Sequence, residues 1–534
     1  YVQADGLQTI GYDHGDYNVV TNYVKGNNSY TVFAGANYSH VDGTETWNNE
    51  NYQFPQSLFD RESYSKNSYR NHQEYMQFRY QNQKGKRYWV GKFTLVNLST
   101  PRNASSGFAK ESTETDVFSN IRKKSLSPKI DLNANLPLSK NQTLTLGVHG
   151  KYSANSYHRL YQEQPFETMT DEDEKALSFQ LSAIYNYFSQ KHSLSVELFH
   201  YHDVWNADYS GNCELWQHLW KGESLAFFSY NFQASRRLSL KTRIGLDWLQ
   251  YHLHGDNSFS QLSPRINTNV QYQLNKGMLL WSFNFVNSNH GMDVINRAMI
   301  QVNSHMMEKG MPELKKSHDI NTYLYYMGRF NRLSVSAIGQ FRYNHHPVTD
   351  DYYLDEANGK IVKTYSNGGN AQYYSAILAL QYKLCKFANL SGDIRYNHAE
   401  VKTTWSKHNN NLTGNLGLNM FMGDFALKPY LHFGKKSLDE AALVISKTPI
   451  DYGMSCSYSR GNLYVELQAA SPFKKQEKQY WLDLPIYSYS KSIKDQTASQ
   501  YASIKVAYSF DFGRKIQKVE KDVNKNINSS LLRV

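Results

Sequence analysis

The chain has 534 residues, a net charge of +11, and 42 tyrosines beside 26 phenylalanines and 9 tryptophans. Its mean hydropathy is −0.66, and no apolar run approaches the roughly 20 residues a helix needs to cross a bilayer, which excludes helical membrane spans. The positive charge comes without a basic helix or a stacking motif, which argues against a nucleic-acid partner, and three scattered cysteines, Cys213, Cys385 and Cys456, give neither a disulfide framework nor a CxxC metal site.

No linker or change of composition divides the chain, so a single large domain is expected. Many aromatics with a polar average suit a transmembrane β-barrel, because lipid-facing and lumen-facing side chains alternate along each strand and dilute the mean. A first strand is expected from Gln3 to Gly11, a tight loop at Asp13-His14-Gly15-Asp16, and a second strand from Tyr17 to Val24. Lys25-Gly26-Asn27-Asn28 then reads as a turn. Further short turns are expected near Lys84-Gly85, Ser139-Lys140, Ser189-Gln190, Ser235-Arg236, Lys276-Gly277, Gly328-Arg329, Cys385-Lys386, Gly423-Asp424 and Arg460-Gly461. Between them lie longer connections, read as loops through Thr44 to Arg70, Leu98 to Lys124, Ser156 to Asp173, Trp205 to Trp220, Met292 to Ser317, Pro347 to Asn370 and Ser471 to Ala498, with shorter ones near Asp13, Asp256, Lys407 and Asp439. Ten short turns alternating with eleven longer connections require 22 strands, with both termini on the short-turn side. The fold expected is therefore all-β, a single 22-stranded antiparallel transmembrane β-barrel with short periplasmic turns and long extracellular loops.

Individual strands carry the period of two. Leu144, Leu146, Val148, Gly150, Tyr152 and Ala154 face one way, with Thr143, Thr145, His149, Lys151 and Ser153 opposite. Leu238, Leu240, Ile244, Leu246 and Trp248 alternate with Lys241, Arg243 and Asp247. The hairpin from Leu262 to Phe285 turns at Asn275-Lys276-Gly277, and its apolar face of Ile266, Val270, Tyr272 and Leu274 opposes Arg265, Asn267, Asn269 and Gln271.

This region resembles the barrel of TonB-dependent receptors of the Bacteroidota. The resemblance rests on Leu262-Ser263-Pro264-Arg265-Ile266 and on Gly310-Met311-Pro312-Glu313-Leu314-Lys315-Lys316-Ser317-His318 leading into a strand; Met311 and Lys316 stand where that family usually has Asn and Pro. The closing stretch, Ser503 to Gly513, with Ile504, Val506, Tyr508, Phe510 and Phe512 on one face, is similar to the last strand of the same family. The resemblance implies an outer-membrane receptor that imports a scarce ligand (an iron chelate, haem, a peptide or a glycan) with energy passed by TonB to an N-terminal plug. Neither that plug nor a signal peptide is contained in this stretch of sequence, and a surface lipoprotein is a further candidate partner. On this reading residues 1–513 form the barrel, and 514–534, rich in Lys and Asn, form a disordered periplasmic tail.

No HExxH, GxSxG or P-loop is present, so neither catalysis nor a resident cofactor is expected. The loop holding His290, Met292, His305 and Met306 offers soft ligands that would suit Cu(I) or haem, against the simpler reading of adaptable apolar side chains in the barrel mouth. The pairs His200 and His202, His252 and His254, and His345 and His346 are expected in an interfacial girdle, and Asp171 to Glu174 at a solvated loop tip. Strand parity points Arg265, Arg342, Arg395, Lys151 and Arg243 into the lumen, where they would meet an acidic plug surface or an anionic ligand. The alternative function is a passive pore or an adhesion and assembly scaffold. A lumen inside 22 strands is too wide for side chains to fill, so it should conduct unless the chain's own loops fold inward, the 292–317 loop first among them.

Overall fold

A computed structural model describes residues 1–54, 57–256, 258–288, 291–494, 500–510, 523–527 and 529. Almost all of it is antiparallel strand. Of the twenty-six strands in the main sheet, four form hairpin extensions at one rim, and the other twenty-two close a ring. Closure is made by the first strand, Val2–Ile10, pairing along its length with the last, Tyr501–Phe510, from Val2 opposite Phe510 to Ile10 opposite Ala502. Residues 511–513 of the expected closing strand lie outside the described residues.

The two faces of this wall follow from the period of two. Leu132, Leu198, Leu246 and Ile394 point outward and are 51–52% exposed, and Val19, Phe78, Phe93 and Trp248 continue the band. A ring of large apolar side chains on this scale is stable only against lipid. Inward positions such as Thr31, Gln77, Thr94, Ser127 and Ser153 are small or polar and are sheltered by the curvature of the wall. Low in the lumen, Val523 and Ile527 pack on Tyr1, Val20, Phe33, Tyr75 and Val96. Lys129 Nζ donates to the carbonyls of Asn524 (2.7 Å) and Asn526 (2.5 Å) there. The described residues 523–527 of the 514–534 stretch therefore lie against the lumen wall.

All ten short turns are present. Gly26, Gly85, Gly423 and Gly461 take the left-handed conformation at φ 59–62° that two-residue hairpin loops require. One turn is displaced: Gly328-Arg329 belongs to the strand Ser317–Phe330, and the chain reverses at Asn331-Arg332, where Asn331 has φ 55°. Asparagine tolerates that conformation nearly as well as glycine, so the Gly at 328 was a decoy.

The larger correction concerns the long connections. Thr44 to Arg70 and Leu98 to Lys124 are mostly strand: Asn28–Phe54 and Ser57–Lys84 run 27 and 28 residues, followed by Arg87–Lys110 and Glu114–Ser139. Ser156 to Asp173 likewise lies in Gln142–Glu163 and Phe166–Phe188. Most of Trp205 to Trp220 lies in His192–Gly211 and Leu215–Gln233. These strands extend the wall well past the apolar band on one side of the barrel. A bulge between Asp42 and Thr44, with Gly43 at φ 83°, reverses the parity of the first of them. Odd-numbered Phe33 and Val41 face inward below it, and even-numbered Glu50 and Tyr52 face inward above it. The shorter loops also shift: Asp13 opens the strand Asp13–Lys25 and Lys407 lies within Ser406–Met422.

Candidate functional site

On the opposite side of the ring the connections are true loops, and two of them fold into the mouth. Residues 291–316 supply the strands Met299–Gln301 and Met306–Lys309, and residues 346–369 supply Thr349–Asp355 and Lys360–Ser366. The four form a separate sheet held together by a parallel pairing of Met306, Met307 and Glu308 with Ile361, Val362 and Lys363. A parallel pair cannot come from one hairpin, so each loop depends on the other for its place.

Inward-facing wall residues hold this cap from several directions. Ile295, Ala298, Ile300 and Leu314 pack on Tyr157, Trp205, Tyr209, Leu219 and Leu253. Across the mouth Met306, Tyr352 and Ile361 pack with Tyr52, Val401, Leu443, Leu482 and Tyr487. The last three come from or adjoin the hairpin extensions Lys435–Asp439/Val444–Thr448 and Glu477–Asp483/Tyr487–Lys494, which raise the wall between Ser406–Met422 and Asn28–Phe54.

Charged groups hold the cap to the wall at three points and join its two loops at a fourth. Beside the tip of the first loop, Arg61 of the wall strand Ser57–Lys84 donates to Glu50 (2.9 Å), Glu163 (2.7 Å) and the Tyr161 hydroxyl (3.1 Å) of neighbouring wall strands, with Glu111 at 3.6 Å. Ser304 donates to Glu163 at 3.0 Å, and His305 Nε2 lies 2.9 Å from Glu111 while its ring packs on Phe59 and Tyr52. Burial pulls the Arg61 pKa down, but Tyr161, Glu50 and Glu163 outweigh it and hold the guanidinium charged; burial pushes Glu163 up, and Arg61 brings it below the ordinary carboxylate range. Arg159, on the wall strand Gln142–Glu163, donates to that loop's carbonyls of Gln301 (2.9 Å) and Val302. At the loop's end, Lys316 and Asp247, both with fully buried side chains, pair at 3.0 Å, and Asp247 also accepts from Arg265. In the second loop Lys363 lies 3.4 Å from both Glu308 and Asp350. A cavity of about 340 Å³ opens beside it, lined by Asp293, Glu308, Asp350 and Asp439 with Lys309 and Lys363.

The sequence-derived candidates are dispersed. Arg265 bonds Asp247 and Glu223; Arg243 bonds Glu197 at 2.6–3.0 Å and lies over the Phe227 ring; Arg342 pairs with Glu440. These three cations are neutralised by the protein's own wall and rim. Lys151 lies on the inward face of Gln142–Glu163, and Arg395 forms no ion pair among the described residues. His290 lies outside the described residues, and Met292 opens the short helix Met292–Ile295. His305 belongs to the Glu111 latch, and Met306 is buried in the apolar core of the cap. Among the described residues no group of three or more His, Cys, Asp or Glu is placed to hold a metal ion. Asp171 to Glu174 is not a loop tip. It lies within Phe166–Phe188, and the inward-facing Glu172 and Glu174 are each 1% exposed, with Tyr209 donating to Glu172 and Asn155 to Glu174. The latch residues Arg61, Glu50, Glu111, Glu163 and Arg159 went unnoticed in the sequence, because a charge on a polar strand above the lipid has no periodic signature.

No family model and no curated protein sequence matches this chain. Solved structures do match in fold. A copper transporter, OprC, superposes with a TM-score of 0.66 at 11% identity, over 95% of this chain and 80% of that one. The FrpB iron transporter from Neisseria meningitidis (F3-3 variant) gives 0.58 at 9%, over 95% and 81%. The siderophore receptor PirA from Pseudomonas aeruginosa gives 0.55 at 9%, over 95% and 80%. At such identities the likeness establishes a shared barrel architecture.

Proposed function

We propose that this chain is the barrel of an outer-membrane receptor that imports a scarce ligand in a TonB-dependent way, with the short turns on the periplasmic rim and the cap facing outward. The observation that carries the reading is the capped mouth: a ring too wide to fill with side chains is closed at its long-loop end by two loops that pair with each other and are tied to the wall by the buried Lys316–Asp247 pair and by the hydrogen bonds of Arg159 and Ser304. A passive pore gains nothing from such a closure, whereas a receptor needs a covering that a bound ligand rearranges. The sequence resemblance and the shared architecture with a copper transporter, an iron transporter and a siderophore receptor support the same reading. An iron chelate, haem, a peptide or a glycan would each bind from the cap side, and a plug, TonB and a surface lipoprotein would be its partners.

Uptake by cells with and without the gene, offered labelled iron chelates, haem, peptides and glycans, tests this. One ligand class should enter only when the chain is present, and its entry should stop when the proton-motive force is collapsed. Entry that survives the collapse would identify a passive pore, and no difference for any ligand would favour a scaffold.

A further inference from the structure

The outer face of the wall carries a groove of about 860 Å³ that the import reading does not use. It opens where the barrel ladder is interrupted. Ser406–Met422 pairs with Phe425–His432 only as far as Asn415 opposite His432. One further backbone bond, from the Phe433 amide to the Gly414 carbonyl, precedes a bend at Phe433-Gly434, beyond which the neighbouring chain continues as Lys435–Asp439, whose backbone pairs with Val444–Thr448 instead. The upper half of Ser406–Met422 reaches it by side chains: Asn409 donates to the Lys436 carbonyl, the Lys436 amide donates to Asn411, and Thr413 donates to the Phe433 carbonyl, at 2.9–3.1 Å. Side-chain bridges hold two strands farther apart than a ladder does, so a slot remains between them.

The floor of the slot is apolar and lipid-facing. Ile394, Leu412, Phe433 and Ile450 line it, and Leu412 is 65% exposed. It sits at the upper edge of the apolar band. Leu412 is opposite Tyr396, and the next outward pair up the same strands is Asn410 with His398, joined by a hydrogen bond of 2.7 Å. That change from apolar to polar marks the depth of lipid headgroups.

Above the apolar floor stand Lys435, Lys436 and Lys447, all exposed and all lining the same groove. Register places Lys436 directly opposite Lys447. Like charges in that position repel and destabilise a hairpin unless an anion lies between them. None of the three forms an ion pair among the described residues.

We infer that this groove is a binding site for a phosphate-bearing acyl lipid of the surrounding leaflet, with one acyl chain along Leu412 and Ile394 and the phosphate between Lys436 and Lys447. The apolar slot alone would accept any hydrocarbon chain, and the lysines alone would accept any small anion. Only an amphiphile with its charge at the headgroup level satisfies both. The site lies on the outside of the wall, so it stands whether or not the protein imports anything.

Native mass spectrometry of the full chain, released from detergent micelles doped with dioleoyl phosphatidic acid, tests the assignment. The wild type should retain one phosphatidic acid molecule. Lys436→Gln/Lys447→Gln should retain it about thirtyfold less, the size of effect that two lysines at a charged membrane surface supply. Leu412→Asn should weaken retention as well, and Lys140→Gln/Lys276→Gln on the opposite rim should not. Dioleoylglycerol, with the same chains and no phosphate, should be retained no better by the wild type than by the lysine variant, and excess inorganic phosphate should not displace the lipid. Equal retention by the wild type and the folded lysine variant, equal binding of dioleoylglycerol, or complete displacement by inorganic phosphate would each overturn the site. Folding is read independently from the heat-dependent gel migration of the barrel.

Discussion

Arg61 sits among three glutamates, and among the described residues no other cation neutralises Glu50 and Glu163 at hydrogen-bond distance. Breaking a buried pair by removing one partner costs about 3–5 kcal/mol, because the remaining charge is stranded without water. Arg61→Ala is expected to release the Asn303 to His305 tip from the wall without unfolding the barrel. Hydrogen exchange at Met299–Gln301 and Met306–Lys309 should then accelerate while the wall ladder stays protected; unchanged protection in the cap would show that the latch does not hold it. Asp350 gives a second prediction with a defined sign. Burial, the largest influence, raises its pKa from 3.8 to about 6, with Lys363 opposing and Glu308 adding to the rise. A carboxyl that holds its proton more tightly in the docked cap than in the free loop stabilises docking fully below pH about 4, and that contribution is lost as the pH rises to about 6. Protection factors in Thr349–Asp355 and Lys360–Ser366 should therefore fall across that window and level off above it. Asp350→Asn should flatten the profile; an unchanged profile would place the titration elsewhere.

Gly369 shows how an element can depend on one backbone position. It ends the second cap loop at φ 84°, and a Cβ there would lie 1.9 Å from the Lys402 carbonyl. Gly369→Ala should fray the paired ends of Asn370–Cys385 and Ala388–Lys402, with a cost of about 1–3 kcal/mol from the strained conformation alone. Exchange at Ala371 and Val401 reads that fraying directly, and native-like protection in the variant would mean the loop has room to shift. The strand number was legible in the sequence because the lipid imposes it: each crossing needs an apolar outward face, as in Leu144 to Tyr152, and each short turn needs its Gly, Asn or Lys. Above the apolar band that pressure ends. Glu45 to Phe54 is polar on both faces and reads as loop, yet its backbone is fully paired with its neighbour. The inward fold of the loop after Ser288 was foreshadowed by its methionines, of which Met306 is buried as expected of an adaptable apolar group. Its partnership with the second loop was not, since a three-residue parallel pairing between distant segments has no local signature. Likewise the lumen-facing parity of Arg243, Arg265 and Arg342 was readable, but the wall and rim carboxylates that neutralise them lie on other strands.

At the scale of the whole molecule the barrel has two unlike ends, and their orientation in the membrane is open to direct labelling. Short turns on the periplasmic rim and long connections outside are the rule for bacterial barrels. A cysteine introduced at Asp256, beside the cap, should react with a membrane-impermeant reagent on intact cells, and one at Gly277, on the short-turn rim, should not. The reverse pattern would invert the topology and place the cap inside the cell envelope.

The claim on which the functional reading depends is that the chain's own loops close its mouth. Planar-bilayer conductance of the purified chain tests it most directly, compared with a variant in which residues 296–315 are replaced by a short Gly-Ser bridge. The intact chain is predicted to be nearly silent and the variant to show large, open-channel steps, because the buried contacts of Ile300, Met306 and Leu314 would be lost together. Equal large currents from both would show that the cap does not seal the barrel and would return the reading to a passive pore.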